Sequence, residues 1–546
     1  MTKPLNLFSN VRGDVFGGIT AAVVALPLAL AFGVASGAGP IAGLYGAVAV
    51  GFFAALFGGT PAQVSGPTGP MSVVMAGIIL MYAQDPAMAF TVVMLGGVFQ
   101  ILFGVFGLGR YITYMPYPVI SGFMSGIGVI IIALQLAPFA GHETAGSVLA
   151  ALVQLPLAYS APNFTALGVG TAGLAVMIFM PQKLCSYVPP PLAALGVGLM
   201  AGYMWPGSLP LLGEIPQGLP AIHMPVFTLE ALPGMLSNAI MLALLGSIDS
   251  LLTSLVADNF TRTQHRSDRE LVGQGIGNMV AGLIGGLPGA GATMRTVVNI
   301  RGGGRGPLSG MVHAVILLAC IFGLGGVAGH IPHAILAAIL LKVGWDIIDW
   351  SFIKRLMRAG VKGADRQAAF VMIAVLLLTV FVDLIMAVAI GVIIKSLITA
   401  RRLATHQIED VLFMSAGGKS GRRHALSERE EALLDKAGDA LLLLRFTGPL
   451  SFGTARDLSS RLHTAYEDYR ALVVDLSDTR MMDASIMMTL ADMIERAREQ
   501  GVCIYVGGVD NPVYGMLKSH GALDGVEDAH MFVQREDALV AAVEAL

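Results

Sequence analysis

Charged residues are scarce in this sequence, and their uneven distribution divides the chain into two parts. Of the 546 residues only 13% are charged, whereas 55% are hydrophobic. This composition excludes an ordinary soluble protein and predicts a membrane protein. Charges are sparse over residues 13–401 and then reach the density of a soluble domain. We therefore expect a transmembrane domain over residues 1–402, a linker over residues 403–438 and a soluble domain over residues 439–546.

Other absences exclude whole classes of function. Cys185, Cys320 and Cys503 are too widely spaced for a metal site or a disulfide framework. The net charge of −3 comes without a basic face, which argues against a nucleic-acid partner. There is no phosphate-binding loop and no paired acid and base, so neither an ATPase nor another enzyme is expected, and no cofactor. Because the amino end lacks a signal-peptide cleavage site, we expect the first hydrophobic run to be kept as a span.

The hydrophobic runs predict the membrane topology. At roughly 20 residues per span, they amount to about fourteen transmembrane segments, and an even number places both termini on one side. The third segment, Thr68–Ala83, and the tenth, Thr293–Ile300, are too short or too broken to cross alone. Gly141–Phe164 and Trp205–Leu232 are predicted to be long connections on the side opposite the termini.

Lysine and arginine are distributed unevenly between the two sides of this topology. The long connections opposite the termini contain neither residue type. The loops on the side of the termini hold Lys3, Arg12, Arg110, Lys183, Arg262, Arg266, Arg269, Arg301, Arg305, Lys354 through Arg366, Arg401 and Arg402. Since basic loops stay in the cytoplasm, we expect both termini and the soluble tail to be cytoplasmic, with the protein in a bacterial inner membrane.

Two glycine-rich breaks interrupt the hydrophobic pattern in the same way. Gly58–Val74 and Gly285–Ile300 each open with Gly-Gly-x-Pro, continue without acidic residues to a threonine, Thr68 or Thr293, and then restart as a short apolar helix. A helix start presents unpaired N–H groups and a positive dipole end, which together favour an anion. Paired broken segments of this kind indicate a substrate site near the bilayer midplane. The alternative interpretation is that both threonines only cap their helices.

Ionisable groups inside the membrane need a partner or a function. Asp249 lies in the middle of a span, and Thr253 follows four residues later on the same helical face, so a carboxylate and a hydroxyl point the same way. With loop carbonyls they would suit a small hard cation such as sodium; the alternative is a protonated aspartate bonded to a neighbouring helix. Arg295, in the first turn after Thr293, would attract an anion and counter Asp249, or merely pair with a carboxylate. His313 is interpreted as a hydrogen-bonded contact between helices.

The tail changes to short strands that alternate with helices. Leu441–Phe446, Ala471–Ser477 and Val502–Gly508 are short apolar runs, and amphipathic helical patterns cover Thr454–Glu467 and Ser485–Gln500. This alternation predicts an α/β domain in which helices pack on a small sheet.

Several long runs resemble one family of transporters. They include GDVFGGITAAVVALPLALAFGVASGAGP, FFAALFGGTPAQVSGPTGPMSVV, LGSIDSLLTSLVADNFTRT, ELVGQGIGN, GAGAT with VVNI, and VGWDIIDW. The chain resembles the sulfate permease (SulP) family, solute carrier family 26, over its whole membrane domain, and its tail resembles the family's STAS domain. The resemblance implies seven plus seven inverted repeats forming a core and a gate domain, a homodimer embedded in membrane lipid, and secondary active transport of an inorganic anion.

The resemblance also assigns roles to individual residues. The motifs PTGP and GAGAT place the substrate at Thr68, Gly291, Ala292 and Thr293. In the bicarbonate-carrying branch of the family, the I-D-x-L-L-T motif holds sodium, which here implies Asp249 and Thr253, completed by the backbone of residues 291–293.

The substrate and the mode of action stay open between several alternatives. Asp249 favours sodium-dependent bicarbonate uptake, whereas Arg295 is the residue type found at this position in members that carry sulfate, dicarboxylates or halides. The alternatives are therefore a sodium-independent or proton-coupled carrier of such anions, an anion channel, and a membrane sensor that signals through its tail. In the tail, Ser485 falls on the phosphorylatable serine of related anti-sigma-factor antagonists and is a candidate regulatory site; alternatively it caps the following helix.

Overall fold

The structure is a computed structural model in which two compact units divide between Ile393 and Ile394. It describes residues 10–112, 115–145, 147–185, 188–205, 207–213, 220–358, 364–382, 384–409, 411–415, 426–450 and 469–546. The predicted helix Thr454–Glu467 lies outside these residues.

The first unit is helical, with one short pair of strands at its centre. Its helices and strands are α1 Val11–Ala35, α2 Pro40–Phe57, β1 Ser65–Gly66, α3 Gly69–Met81, α4 Pro86–Val105, α5 Gly109–Ile112, α6 Tyr117–Phe139, α7 Val148–Ser160, α8 Phe164–Phe179, α9 Gln182–Cys185, α10 Pro190–Met204, α11 Leu232–Thr261, α12 Ser267–Leu283, β2 Ala290–Gly291, α13 Thr293–Arg301, α14 Pro307–Ala328, α15 His333–Ile347, α16 Trp350–Arg358, α17 Ala364–Phe381 and α18 Leu384–Glu409, the last of which continues past Ile393.

These helices sort into two groups by their packing. In one group α12 packs on α2 and α4, and α14 packs on α1 and α2; in the other, α15 and α17 pack on α6, and α8 packs on α10 and α15. Glycines allow the closest approaches: a Cβ on Gly97 of α4 would lie 2.5 Å from the carbonyl oxygen of Gly275 on α12, and the reverse also holds. The two groups agree with the expected core and gate.

Helix lengths confirm a membrane protein but not the count of spans. Five described helices are long and apolar enough to cross a bilayer, namely α1, α2, α4, α6 and α11, and α7 with α8 gives a sixth as a pair bent by 113°. Five further apolar helices have 10–17 residues within the parts whose side chains are described. The count of about fourteen segments therefore stays a prediction.

Two helices occupy stretches that we interpreted as connections. Helix α7 fills most of Gly141–Phe164, and α16 lies in the basic loop after α15. Both are shorter than the roughly 20 residues that mark a span in sequence, and α7 also contains Pro156. The length criterion for spans therefore did not detect these two helices.

The second unit contains a five-stranded sheet covered by helices, as predicted. Its elements after α18 are β3 Val411–Met414, α19 Glu428–Ala437, β4 Leu441–Leu450, β5 Ala471–Met482, α20 Ala484–Glu499, β6 Cys503–Gly507, α21 Pro512–Ser519, β7 Met531–Phe532 and α22 Arg535–Ala545. The strands follow the order β3-β4-β5-β6-β7, in which β3 is antiparallel to β4 and the other neighbours are parallel. One face of the sheet packs on α20 and α21, and the other packs on α19 and α22. Strand β3 and helix α19 lie within the predicted linker.

Candidate functional site: two helix starts joined by a strand pair

The two glycine-rich breaks meet in space. Strands β1 and β2 pair antiparallel, with Ser65 opposite Gly291 and Gly66 opposite Ala290. A further backbone hydrogen bond joins the Ala292 N–H to the Val64 carbonyl oxygen at 2.9 Å. Because α3 and α13 leave this antiparallel pair in opposite directions, the positive ends of both helices point towards the same region. The predicted pair of helix starts is therefore confirmed.

Neither threonine serves as a helix cap through its side chain. Thr68 is the residue before α3, but its hydroxyl forms no cap hydrogen bond. Thr293 is the first residue of α13, and Ala292 takes the cap position. The capping interpretation of both threonines is thus wrong, and the first-turn N–H groups receive no bond from a cap side chain.

Helix α11 carries Asp249 and Thr253 to the second break. The Thr253 hydroxyl donates to the Gly291 carbonyl oxygen at 2.9 Å and lies 2.8 Å from the Thr293 hydroxyl oxygen. Asp249 is only 8% exposed, and its Oδ2 has no hydrogen-bond partner among the described residues. The Thr68 hydroxyl lies within interaction range of this carboxylate without forming a hydrogen bond of standard geometry. A carboxylate and a hydroxyl thus lie one helical turn apart on α11, the hydroxyl contacts a backbone carbonyl, and hard cations prefer such oxygen ligands.

Arg295 lies buried beside this group. It is 1% exposed, and its Nη2 donates to the Pro67 carbonyl oxygen at 2.5 Å. Its Nε and Nη1 have no hydrogen-bond partner in the part of the chain that is described, and its charge interacts with Asp249. A side chain at Gly66 would collide with it, since a Cβ there would lie 2.6 Å from Nη1. The glycine therefore makes room for the guanidinium.

The structure brings all the predicted site residues together. They are Thr68, Asp249, Thr253, Gly291, Ala292, Thr293 and Arg295. Thr293 is exposed, whereas Thr68 and Asp249 each keep only 8% exposure. A small pocket adjoins the first turn of α3, where Gly69 and Ser72 line it together with Gln135. A second pocket is lined by apolar side chains and Cys320 and contains none of the site residues.

A buried polar network supports the first break, and our sequence interpretation missed it. Glu270 on α12 accepts hydrogen bonds at 2.8 Å from the backbone N–H groups of Gly59 and Thr60 and from the side chains of Gln63 and Gln274. The available signal was the motif ELVGQGIGN, because Glu270, Gln274 and Asn278 recur every four residues and so share one helical face.

The same face of α12 also holds the second break. The Asn278 side chain accepts from the Gly289 N–H at 2.7 Å and donates to the Gly289 carbonyl oxygen at 2.9 Å. The Ser250 hydroxyl on α11 accepts from the Gly291 N–H at 3.0 Å. Helix α12 therefore fixes the loops before both helix starts.

Two further interpretations are corrected. His313 is fully buried, but neither ring nitrogen has a hydrogen-bond partner among the residues described, so it is not the hydrogen-bonded contact that we expected. Ser485 is exposed and is the second residue of α20, while Asp483 caps this helix by accepting from the Ile486 N–H at 3.0 Å. The capping interpretation of Ser485 is thus wrong, and its regulatory role stays a prediction.

The fold and the site define a class of protein, namely a membrane transporter in which the starts of two broken helices meet. Comparisons with known proteins agree. Residues 11–365 match the model of the sulfate permease family, and residues 433–538 match that of the STAS domain. The chain belongs to the sulfate permease family, whose members among its relatives are transporters and not enzymes.

Individual relatives extend this similarity to the whole chain. The bicarbonate transporter BicA of Synechocystis is 48% identical over 549 residues, covering 99% of this chain and 95% of the relative. A solved structure of the transmembrane domain of a cyanobacterial BicA is 53% identical, with a TM-score of 0.66 over 70% of this chain and 99% of its own. The murine Slc26a9 anion transporter is 17% identical, with a TM-score of 0.81 over 99% of this chain and 92% of its own. The last similarity concerns the fold alone.

Proposed function

We propose that the protein takes up bicarbonate together with sodium by alternating access. The observation that carries this proposal is the set of oxygen atoms around Asp249, whose buried Oδ2 has no partner among the described side chains and backbone groups. One helical turn after Asp249, the Thr253 hydroxyl donates to the Gly291 carbonyl oxygen. The name of its 48% identical relative, a bicarbonate transporter, supports the choice of anion.

The proposed mechanism couples the two ligands through charge. Sodium held by Asp249, Thr253 and the backbone of Gly291 to Thr293 neutralises the carboxylate, which would otherwise repel an incoming anion. Bicarbonate then binds between the starts of α3 and α13, where N–H groups and helix dipoles favour it. Each ligand raises the affinity for the other by the same factor. The core then moves against the gate and exposes the loaded site to the other side.

The proposal also covers the location, orientation and oligomeric state of the protein. The protein lies in a bacterial inner membrane, with both termini and the STAS domain in the cytoplasm, and it works as a homodimer. The basic loops and the absence of Lys and Arg from the two long opposite connections support this orientation. Membership of the family supports the homodimer.

Arg295 favours a second candidate function. This buried guanidinium already supplies a positive charge within range of Asp249, so neutralising the carboxylate does not require sodium. Its Nε and Nη1, which have no partner in the described ranges, offer additional donors to an anion with two charges. The second candidate is therefore a sodium-independent or proton-coupled carrier of sulfate or a dicarboxylate.

Uptake into proteoliposomes separates the candidates. Labelled bicarbonate and labelled sulfate are each supplied with and without an inward sodium gradient. Bicarbonate uptake that requires the gradient supports the first candidate, and sulfate uptake that is indifferent to it supports the second. Anion currents without any coupled ion would instead indicate a channel. Deleting residues 407–546 tests the sensor alternative, because a transporter keeps part of its flux without its tail.

A further inference from the structure

The short helix α16 has one apolar and one basic face. At 100° per residue, Lys354, Arg355, Arg358 and Ser351 fall within an arc of about 100°. The opposite arc holds Trp350, Phe352, Ile353, Leu356 and Met357. The helix contains no acidic residue and none of its side chains is fully buried, with Met357 68% exposed. The basic side chains are exposed, whereas the apolar face is partly buried apart from Met357.

The start of α16 is fixed to α6. The Asp349 carboxylate accepts from the Phe352 N–H at 3.0 Å, and it also accepts from the Tyr117 and Ser121 hydroxyls at 2.8 Å. The rings of Tyr117 and Phe352 pack edge to face with centroids 5.2 Å apart. The helix is thus held beside α6 by specific contacts at its first turn.

Aromatic side chains indicate the depth in the bilayer at which α16 lies. The rings of Trp345 and Trp350 are 4.4 Å apart, and the Trp350 Nε1–H donates to the Trp345 carbonyl oxygen at 2.9 Å. Trp345 is 53% exposed at the end of the apolar helix α15. Exposed tryptophans at the end of an apolar helix are typical of the boundary between lipid tails and headgroups. A short amphipathic helix next to them lies in the plane of that boundary.

The basic side chains of α16 form no ion pair within the described protein. Among the described residues, Lys354, Arg355 and Arg358 form no ion pair, whereas the nearby Asp346 pairs with Lys342 at 2.5 Å. Asp349 is occupied by its contacts with α6. Three exposed positive charges, with the exposed Met357 on the apolar side of the same helix, match a lipid that has a negative headgroup and an acyl chain.

We propose that α16 binds anionic phospholipid headgroups of the bilayer. Lys354, Arg355 and Arg358 contact the phosphates while the opposite face enters the acyl boundary. Anionic lipid is thereby concentrated where α16 meets α6, independently of which anion the protein carries.

The position of the tryptophans provides a direct test. The chain contains three tryptophans, and Trp205→Phe leaves only Trp345 and Trp350, both beside α16. This full-length variant is reconstituted in phosphatidylcholine with an equal, small fraction of either brominated phosphatidylglycerol or brominated phosphatidylcholine. Bromine quenches only nearby tryptophans. We expect phosphatidylglycerol to be enriched around α16 on the order of tenfold, and its extra quenching to fall as salt is raised.

Two charge variants decide what causes the preference. Replacing Lys354, Arg355 and Arg358 together by glutamine should make the two lipids quench equally. The charge-preserving variant K354R/R355K/R358K should keep the preference, and it controls for damage to the fold. Equal quenching in the Trp205→Phe protein, or a preference that survives the glutamine substitutions, would overturn the proposal. An acidic protein segment that already covered the basic face would also make the two lipids quench equally, and the proposal would then be wrong.

Discussion

The Thr253 hydroxyl connects α11 to the second helix break by donating to the Gly291 carbonyl oxygen at 2.9 Å. Thr253 lies one helical turn after Asp249, and Gly291 is the last residue of β2, just before α13. Together with Ser250, which accepts from the Gly291 N–H, this side chain links the carboxylate helix to the strand pair that positions both helix starts. In the mechanism that we propose, this contact couples the cation ligands to the anion site over a few bonds.

Replacing Thr253 by valine should weaken this link without changing the buried shape. The hydroxyl is lost as a donor to Gly291 and as a cation ligand, while the γ-methyl is kept. One hydrogen bond of this kind contributes about 1 kcal/mol, which corresponds to roughly a fivefold rise in the KM for sodium. Ser247→Ala is the matched control, because that hydroxyl donates to Ala243 within α11. Equal sodium KM values for T253V and wild type would contradict the assignment.

Asp249→Asn should remove the sodium dependence of uptake. The amide keeps the size of the carboxylate but not its charge, so the strongest proposed sodium ligand is lost. Initial rates of bicarbonate uptake, measured against sodium concentration, should become flat. Asp258→Asn serves as control, since this carboxylate on the same helix contacts His265 instead. A sodium response that persists in D249N would remove Asp249 from the coupling.

Arg295→Gln should shift sodium and anion affinity in opposite directions. Removing a positive charge within range of Asp249 relieves repulsion of a cation, so the KM for sodium falls. The anion loses the same charge, so its KM rises. Arg295→Lys keeps the charge and is the control. Parallel changes of both KM values would mean that Arg295 acts through structure rather than through charge.

The sequence predicted which residues meet at the site better than it predicted the contacts that hold them in place. Thr68 and Thr293 were identified because glycine and proline breaks are local signals, and Asp249 stood out because a carboxylate in an apolar span is rare. The contacts of Glu270 with Gly59 and Gln63 join residues about 210 positions apart, and no local pattern specifies such a pairing. Partners of buried side chains such as His313 depend on tertiary packing in the same way.

Local length rules explain the helices that were missed. Helix α7 has 13 residues and α16 has nine, so neither gives a hydrophobic run long enough to mark a span. The secondary structure of the tail was easier to predict, because each of its short strands and helices has its own local hydrophobic pattern. Its Ser485 was misinterpreted as a cap because Asp483, two residues earlier, competes for the same position.

Glu270→Gln should destabilise the membrane domain. All four of its hydrogen bonds come from N–H donors, so an amide NH₂ in place of one oxygen would face a donor. Leaving such buried groups unsatisfied costs about 2–4 kcal/mol. The apparent Tm of the purified protein should fall by several degrees. Glu143→Gln, at an exposed position, should leave Tm unchanged. A wild-type Tm for E270Q would show that the network contributes little to stability.

The STAS domain should lose stability in acid through Glu430. Burial alone would raise the pKa of this carboxyl, but hydrogen bonds from Arg535, at 2.7 and 3.0 Å, and from Ser427 hold the pKa below its usual 4.5. A lowered pKa in the folded state contributes stability that is complete above 4.5 and disappears as the pH falls through the folded value.

Glu430→Gln measures this contribution. At pH 7 the variant should be less stable by about 1–2 kcal/mol, since the ion pair with Arg535 is shielded only in part from solvent. The measurement is hydrogen exchange of residues 428–437 and 535–545 in the full chain, corrected for the intrinsic effect of pH. The difference in stability between wild type and variant should stay constant down to about pH 4.5 and should shrink below it. Glu428→Gln, at an exposed position on the same helix, is the control. If the difference in stability between wild type and variant instead grew in acid, the carboxylate would be destabilised by its burial rather than stabilised by Arg535.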